Sequence, residues 1–100
     1  MQLEKNRRGR ELRIVLSGEL DHHNAAIIRE EIDRELDGSV RLLTLDMNGI
    51  TFMDSSGIGV VLGRYRRMSE SGGKLRICGM SIYAEKILRM AGVLALLERK

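Results

Sequence analysis

The 100-residue chain is 43% hydrophobic and 31% charged, with one Phe, two Tyr, no Trp, no Pro and one Cys. That length suits one domain and is too short for two well-cored ones, and the apolar share is that of a globular protein. The lone Cys78 excludes an internal disulfide, no apolar run approaches the roughly 20 residues of a membrane span, and Met1–Arg10 is too polar for a signal peptide. These features fit a cytoplasmic domain with an aliphatic core and exclude a disulfide-held scaffold.

The net charge of +3 is unevenly spread: residues 1–50 carry eight Lys/Arg against ten Asp/Glu, residues 51–100 nine against four. A basic half can mark an acidic partner. A nucleic-acid binder, however, clusters its cations among stacking aromatics. Here they are dispersed apart from Arg64-Tyr65-Arg66-Arg67, which reads as a solvated helix face. No nucleic acid and no membrane is expected as a partner.

In chain order, Leu3–Arg7 and Glu11–Leu16 read as a hairpin about Gly9, with Leu12, Ile14 and Leu16 on one face. Ser17-Gly18-Glu19-Leu20-Asp21 breaks that alternation and leads to Asn24, a good N-cap. A helix follows from Ala25 to Leu36, with Ala25, Ile28, Ile32 and Leu36 on one stripe; Glu30/Arg34 and Arg29/Asp33 are paired four apart on the solvent side. Gly38 closes it. Leu42–Met47 reads as a buried strand and Asn48–Gly57 as a loop.

A second helix has Ile58, Val61, Leu62, Tyr65 and Met68 as its apolar stripe and stops at Gly72-Gly73. Leu75–Cys78 is another strand, and Ser81 caps a third helix with Ala84, Ile87, Leu88 and Ala91 facing inward. Val93–Leu97 reads as a last short strand. The order β-β-α-β-α-β-α-β predicts one α/β domain: a mixed sheet, parallel except for its opening hairpin, with amphipathic helices packed against it.

Four constellations invite chemistry. Gly57-Ile58-Gly59 opens a helix, but Gly63 falls one place late for a dinucleotide fingerprint; close helix–sheet packing is the simpler account. Neither Ser55 nor Ser56 has glycines two before and two after it, as a nucleophile elbow requires, so a serine hydrolase stands only as a distant alternative. His22-His23 points two rings apart and lacks completing ligands, so loop histidines meeting a partner fit better than a metal site. In Asp54-Ser55-Ser56-Gly57 the serine hydroxyls can cap the second helix. A phosphate there would place about two negative charges at the positive end of a helix, with Asp54 repelling it. On physical grounds alone an unmodified cap is the simpler account.

Gly18-Glu19-Leu20-Asp21-His22-His23 and Phe52-Met53-Asp54-Ser55-Ser56-Gly57-Ile58-Gly59-Val60-Val61-Leu62-Gly63-Arg64-Tyr65 resemble the two signature stretches of the anti-sigma factor antagonists, which have the STAS fold. The resemblance covers nearly the whole chain. It is closer to the sporulation branch, acting on sigma F, than to the general-stress branch, which usually differs at His22-His23.

The resemblance implies a partner-switching protein, not an enzyme, with no cofactor of its own. Unmodified, it would bind an anti-sigma factor that is also a serine kinase; that kinase would phosphorylate Ser55, and a PP2C-type phosphatase would reverse the mark. Asp21, His22, His23, Asp54, Ser55, Ser56, Gly57, Ile58 and Gly59 are the implied partner-binding residues, with Asp21 near the kinase contact. Relatives commonly open the third helix with Pro, where this chain has Tyr83 after Ser81, and continue into a C-terminal helix that is absent or shortened here.

Overall fold

A computed structural model describes residues 1–99. Strands β1 (Gln2–Arg8) and β2 (Glu11–Leu20) form the hairpin, and Gly9 takes the positive φ of +60° that the tight turn requires. Helix α1 (His22–Glu35), strand β3 (Leu42–Met53), helix α2 (Ser55–Glu70), strand β4 (Lys74–Cys78) and helix α3 (Ile82–Met90) follow. A 3-10 turn at Leu94–Leu96 then leads into β5 (Glu98–Arg99). The sheet order is β1-β2-β3-β4-β5, antiparallel between β1 and β2 and parallel at the other three pairings. This is the expected mixed α/β architecture.

Alternation along the strands divides the sheet. Leu12, Ile14 and Leu16 of β2, Leu43, Leu45 and Met47 of β3, and Leu75 and Ile77 of β4 are buried together with Ile28 and Ile32 of α1 and Val60, Val61 and Met68 of α2. Arg13, Thr44, Asp46 and Cys78 occupy the alternate positions. Arg13 donates to Asp46 Oδ2 at 2.6 Å and approaches the Cys78 sulfur at 3.4 Å. Burial alone would raise the Asp46 carboxyl, but the N–H groups of Asn48 and the guanidinium of Arg13 outweigh it and hold it below its ordinary value.

The sequence expectations differ from the structure at five places. Strands β2 and β3 run on to Leu20 and Met53, so 48–53 is strand rather than loop. Register shifts between Val15 and Ser17 and between Gly18 and Glu19 give β3 extra residues opposite β2. Such bulges erase the period-two pattern from which a strand is read.

Helix α1 starts three residues before Ala25, capped by Asp21 rather than Asn24, because the Asn24 amide donates to the Glu19 carbonyl at 2.9 Å. Helix α2 is rotated from its expected stripe: Arg64 is buried while Leu62 and Tyr65 are only half-buried. On α3, Ala84 and Leu88 face inward but Ala91, the C-cap, is exposed. Finally, the expected strand at 93–97 is replaced by a 3-10 turn at Leu94–Leu96, and the strand lies just beyond it.

Candidate functional site

Parallel strands deliver consecutive chain segments to the same end of a sheet, where the following helices begin. Here β2 ends at Leu20 and β3 at Met53, which are register partners, so the first turns of α1 and α2 emerge side by side. Asp21 precedes one helix and Asp54 the other, both in extended backbone, so each carboxylate can turn back onto the free N–H groups of its helix.

Asp21 Oδ1 accepts from the backbone N–H of His23 and of Asn24, each at 3.1 Å. Asp54 Oδ1 accepts from Ser56 N–H at 2.8 Å, and its other oxygen reaches across to the His22 N–H at 3.3 Å. Asp54 is therefore both the cap of α2 and a tie to the first residue of α1. These bonds, that from Ser56 foremost, hold its carboxyl below the usual range. The two ends are also joined by the backbone bond from Asp54 N–H to Leu20 C=O at 3.4 Å.

Ser55 is the first residue of α2 and is exposed; Ser56 is half-buried. The expectation that serine hydroxyls cap α2 is corrected here, because Asp54 takes that role. An acidic side chain with the same reach is favoured at this end by the helix dipole as well. The Ser55 hydroxyl is thereby left at the surface.

His22 and His23 stand in the first turn of α1, not in a loop. Their rings are 5.9 Å apart and meet edge-on, and among the described residues no three His, Cys, Asp or Glu side chains converge as metal ligands. Both histidines are exposed.

Gly57 is buried, and a Cβ there would run into Met53 and Leu20, so it is the residue that lets α2 lie close on the strand ends. Gly59 is exposed with open space at its Cβ position, and Ile58 is half-buried beside it. The close-packing account of the glycines thus holds for Gly57 and not for Gly59.

The structure brings Asp21, His22, His23, Asp54, Ser55 and Ser56 to one edge, with Gly57 beneath them and Ile58 and Gly59 further along α2. Sequence reasoning took Asn24 for a helix cap and missed its actual role, which is to lash the β2 end to α1 through Glu19 and Asp21. It also passed over the exposure of Phe52, which lies in the half-exposed second part of β3 that was read as a loop.

Residues 2–99 match the STAS domain. The chain belongs to the STAS domain family. It is 34% identical over 94 residues to the anti-sigma F factor antagonist of Paenibacillus polymyxa, spanning 93% of this chain and 80% of that relative. Among solved structures it is similar to the anti-sigma factor antagonist SpoIIAA in its unphosphorylated form, with a TM-score of 0.75 at 32% identity over 89% of this chain and 83% of that one. It is also similar to the phosphorylated form of the Bacillus cell fate determinant SpoIIAA, with a TM-score of 0.79 at 29% identity over 99% and 91%. This STAS chain therefore shares its fold with relatives solved in both phosphorylation states.

Proposed function

We propose that the chain is an anti-sigma factor antagonist that binds an anti-sigma factor with serine kinase activity and is switched off by phosphorylation of Ser55. It acts as a regulatory binding protein and not as an enzyme. The observation that carries the reading is the position of Ser55: exposed at the mouth of α2, with capping delegated to Asp54, so modification leaves the helix start intact. Likeness to antagonists solved with and without phosphate supports it.

The phosphate works through charge. It adds about two negative charges, taking the net charge from +3 to about +1, and concentrates them beside the Asp54 carboxylate. Since the Asp54 carboxylate already accepts the Ser56 N–H, the phosphate meets a like charge at the helix mouth. It projects toward the partner, where it must be desolvated or paired on docking. A PP2C-type phosphatase restores the unmodified surface.

Similarity to the Paenibacillus polymyxa protein and the His22-His23 pair favour sigma F and sporulation over the general-stress branch. A kinase partner that uses ATP fits the cytoplasmic location expected from the sequence. A serine hydrolase is disfavoured, since no hydrogen bond joins the Ser55 or Ser56 hydroxyl to an imidazole among the described residues.

Incubation with ATP and the anti-sigma factor from the same genome, followed by peptide mass spectrometry, tests the reading. One phosphate on Ser55, abolished in Ser55→Ala, is the expected result. A phosphate on another residue, or none, would overturn it.

A further inference from the structure

The helix mouth cannot by itself make a stable interface. A specific complex takes about 800 Å² from each partner, some 20–30 residues. The chain exposes 5745 Å² in all, so such a footprint is a sizeable share of its surface. Of the nine residues at the mouth, His22, His23, Ser55 and Gly59 are exposed, while Gly57 is buried and the others are half-covered. Those four offer polar atoms and a bare backbone. The centre of a protein interface is instead built from aromatic and large apolar side chains.

Two flanks adjoin the mouth and carry exposed apolar groups. On one side Ile27 of α1 is 58% exposed beside a groove against β1. That groove is lined by Glu4 and Glu31 as well as Gln2 and Asn24, so an apolar partner would have to desolvate two carboxylates there.

The other flank lies between the end of β3 and the start of α3. Parallel pairing of β3 and β4 places the helix that follows β4 at the same end of the sheet as Ser55. A groove of about 290 Å³ opens there, lined by Ile50, Thr51, Phe52, Met53, Ser81, Tyr83 and Ala84, none of them charged. Phe52 is 43% exposed, Tyr83 57% and the adjoining Ile82 89%. Met53, buried at the base of the groove, immediately precedes the Asp54 cap, so the groove wall and the phosphorylation site are separated by one residue along the chain.

We propose that the anti-sigma factor seats an apolar side chain in the Phe52–Tyr83 groove while its neighbouring surface covers Ser55. The inference rests on the function proposed above and adds to it the part of the surface that supplies affinity. The Ser55 region is then the switch and the groove the anchor. A phosphate on Ser55 acts at the rim of an interface whose apolar centre lies beside it, so charge controls docking without any change in the groove.

Titration calorimetry with the cognate anti-sigma factor separates the two ideas. Ile82→Ser/Tyr83→Ser changes two side chains that are mostly solvated, so its melting temperature stays near that of the parent. The expected result is a loss of about tenfold or more in affinity, the scale of an interface hot spot. Ile27→Ser, on the opposite flank, is expected to bind within about twofold.

Wild-type chain that binds and loses affinity on Ser55→Asp, while Ile82→Ser/Tyr83→Ser binds as tightly as the parent, overturns the groove and leaves the function standing. Loss on Ile27→Ser alone does the same and moves the anchor to α1. Failure of the wild-type chain to bind overturns both.

Discussion

Arg64 of α2 buries its guanidinium against Asp33 of α1, with Nε 2.9 Å from Oδ1, and this pair is the shorter of two charged bridges that Asp33 makes between the helices that form the candidate site. The side chain of Arg64 is only 6% exposed, that of Asp33 26%. Despite the short distance, the alignment is not that of a hydrogen bond, and Arg64 Nη1 also lacks an acceptor. Arg67 approaches the same carboxylate at 3.7 Å, and burial together with Arg29 and Arg67 pushes against the charge on Arg64. The two partners are therefore unequal. Asp33→Ala leaves a buried cation among like charges and should cost about 3 kcal/mol, whereas Arg64→Met leaves a half-solvated carboxylate beside Arg67 and should cost under about 1 kcal/mol. Urea unfolding of both variants and the double mutant measures the asymmetry; equal losses would contradict it.

Division of labour between Asp54 and Ser55 gives a second outcome. Asp54→Ala removes the acceptor for the Ser56 and His22 N–H groups and should cost about 1–2 kcal/mol. Ser55→Ala removes no cap and substitutes a better helix former, so its stability should match the parent to within about 0.5 kcal/mol. Denaturant midpoints at neutral pH distinguish the two. A large loss in Ser55→Ala would mean that its hydroxyl, and not Asp54, holds the helix start.

The helices and hairpin were legible because their signals are local. The Ile28–Ile32–Leu36 stripe and the Gly9 turn need no knowledge of the rest of the chain. The burial of Arg64 was not legible, because a guanidinium reads as solvent-facing until Asp33, 31 positions earlier, is known to face it. Likewise Asp21 and Asn24 are comparable caps by type; the Glu19 carbonyl decides between them by engaging Asn24. Parallel pairing of β2 with β3 is what places Asp21 and Asp54 at one end of the sheet. That the Asp54 carboxylate spans the gap to His22 is a matter of side-chain reach, which order along the chain does not contain.

Acid titration should report the tie directly. The folded state holds the Asp54 carboxyl below its ordinary value of 3.8, so this group stabilises the fold above that value. The contribution falls away as pH drops from near 4 through the lower folded value, where the carboxylate is protonated. Asp54→Asn keeps an acceptor for the Ser56 N–H, loses the one for the His22 N–H and cannot titrate. Its stability should lie below the parent's at pH 7 and decline less steeply as the pH falls below about 4, so that the two converge in acid. Parallel slopes in that window, followed by urea unfolding at successive pH values, would show that Asp54 gains nothing from its N–H partners.

The two glycines at the start of α2 should respond in opposite directions to the same substitution. At Gly57 a Cβ meets Met53, itself buried at the end of β3, and the Leu20 side chain behind it. Accommodating it requires α2 to lift from the strand ends, so Gly57→Ala should cost about 1–3 kcal/mol, the usual penalty of overpacking. The same shift displaces the α2 mouth, so binding to the anti-sigma factor should weaken with it. At Gly59 nothing lies within 4 Å of the added carbon and the backbone is helical. Gly59→Ala therefore gains the helix propensity that glycine forfeits and should stabilise by about 0.5–1 kcal/mol. Thermal melts give the signs. If Gly59→Ala is stabilised yet loses the anti-sigma factor, the bare backbone at that position is a contact that the partner requires.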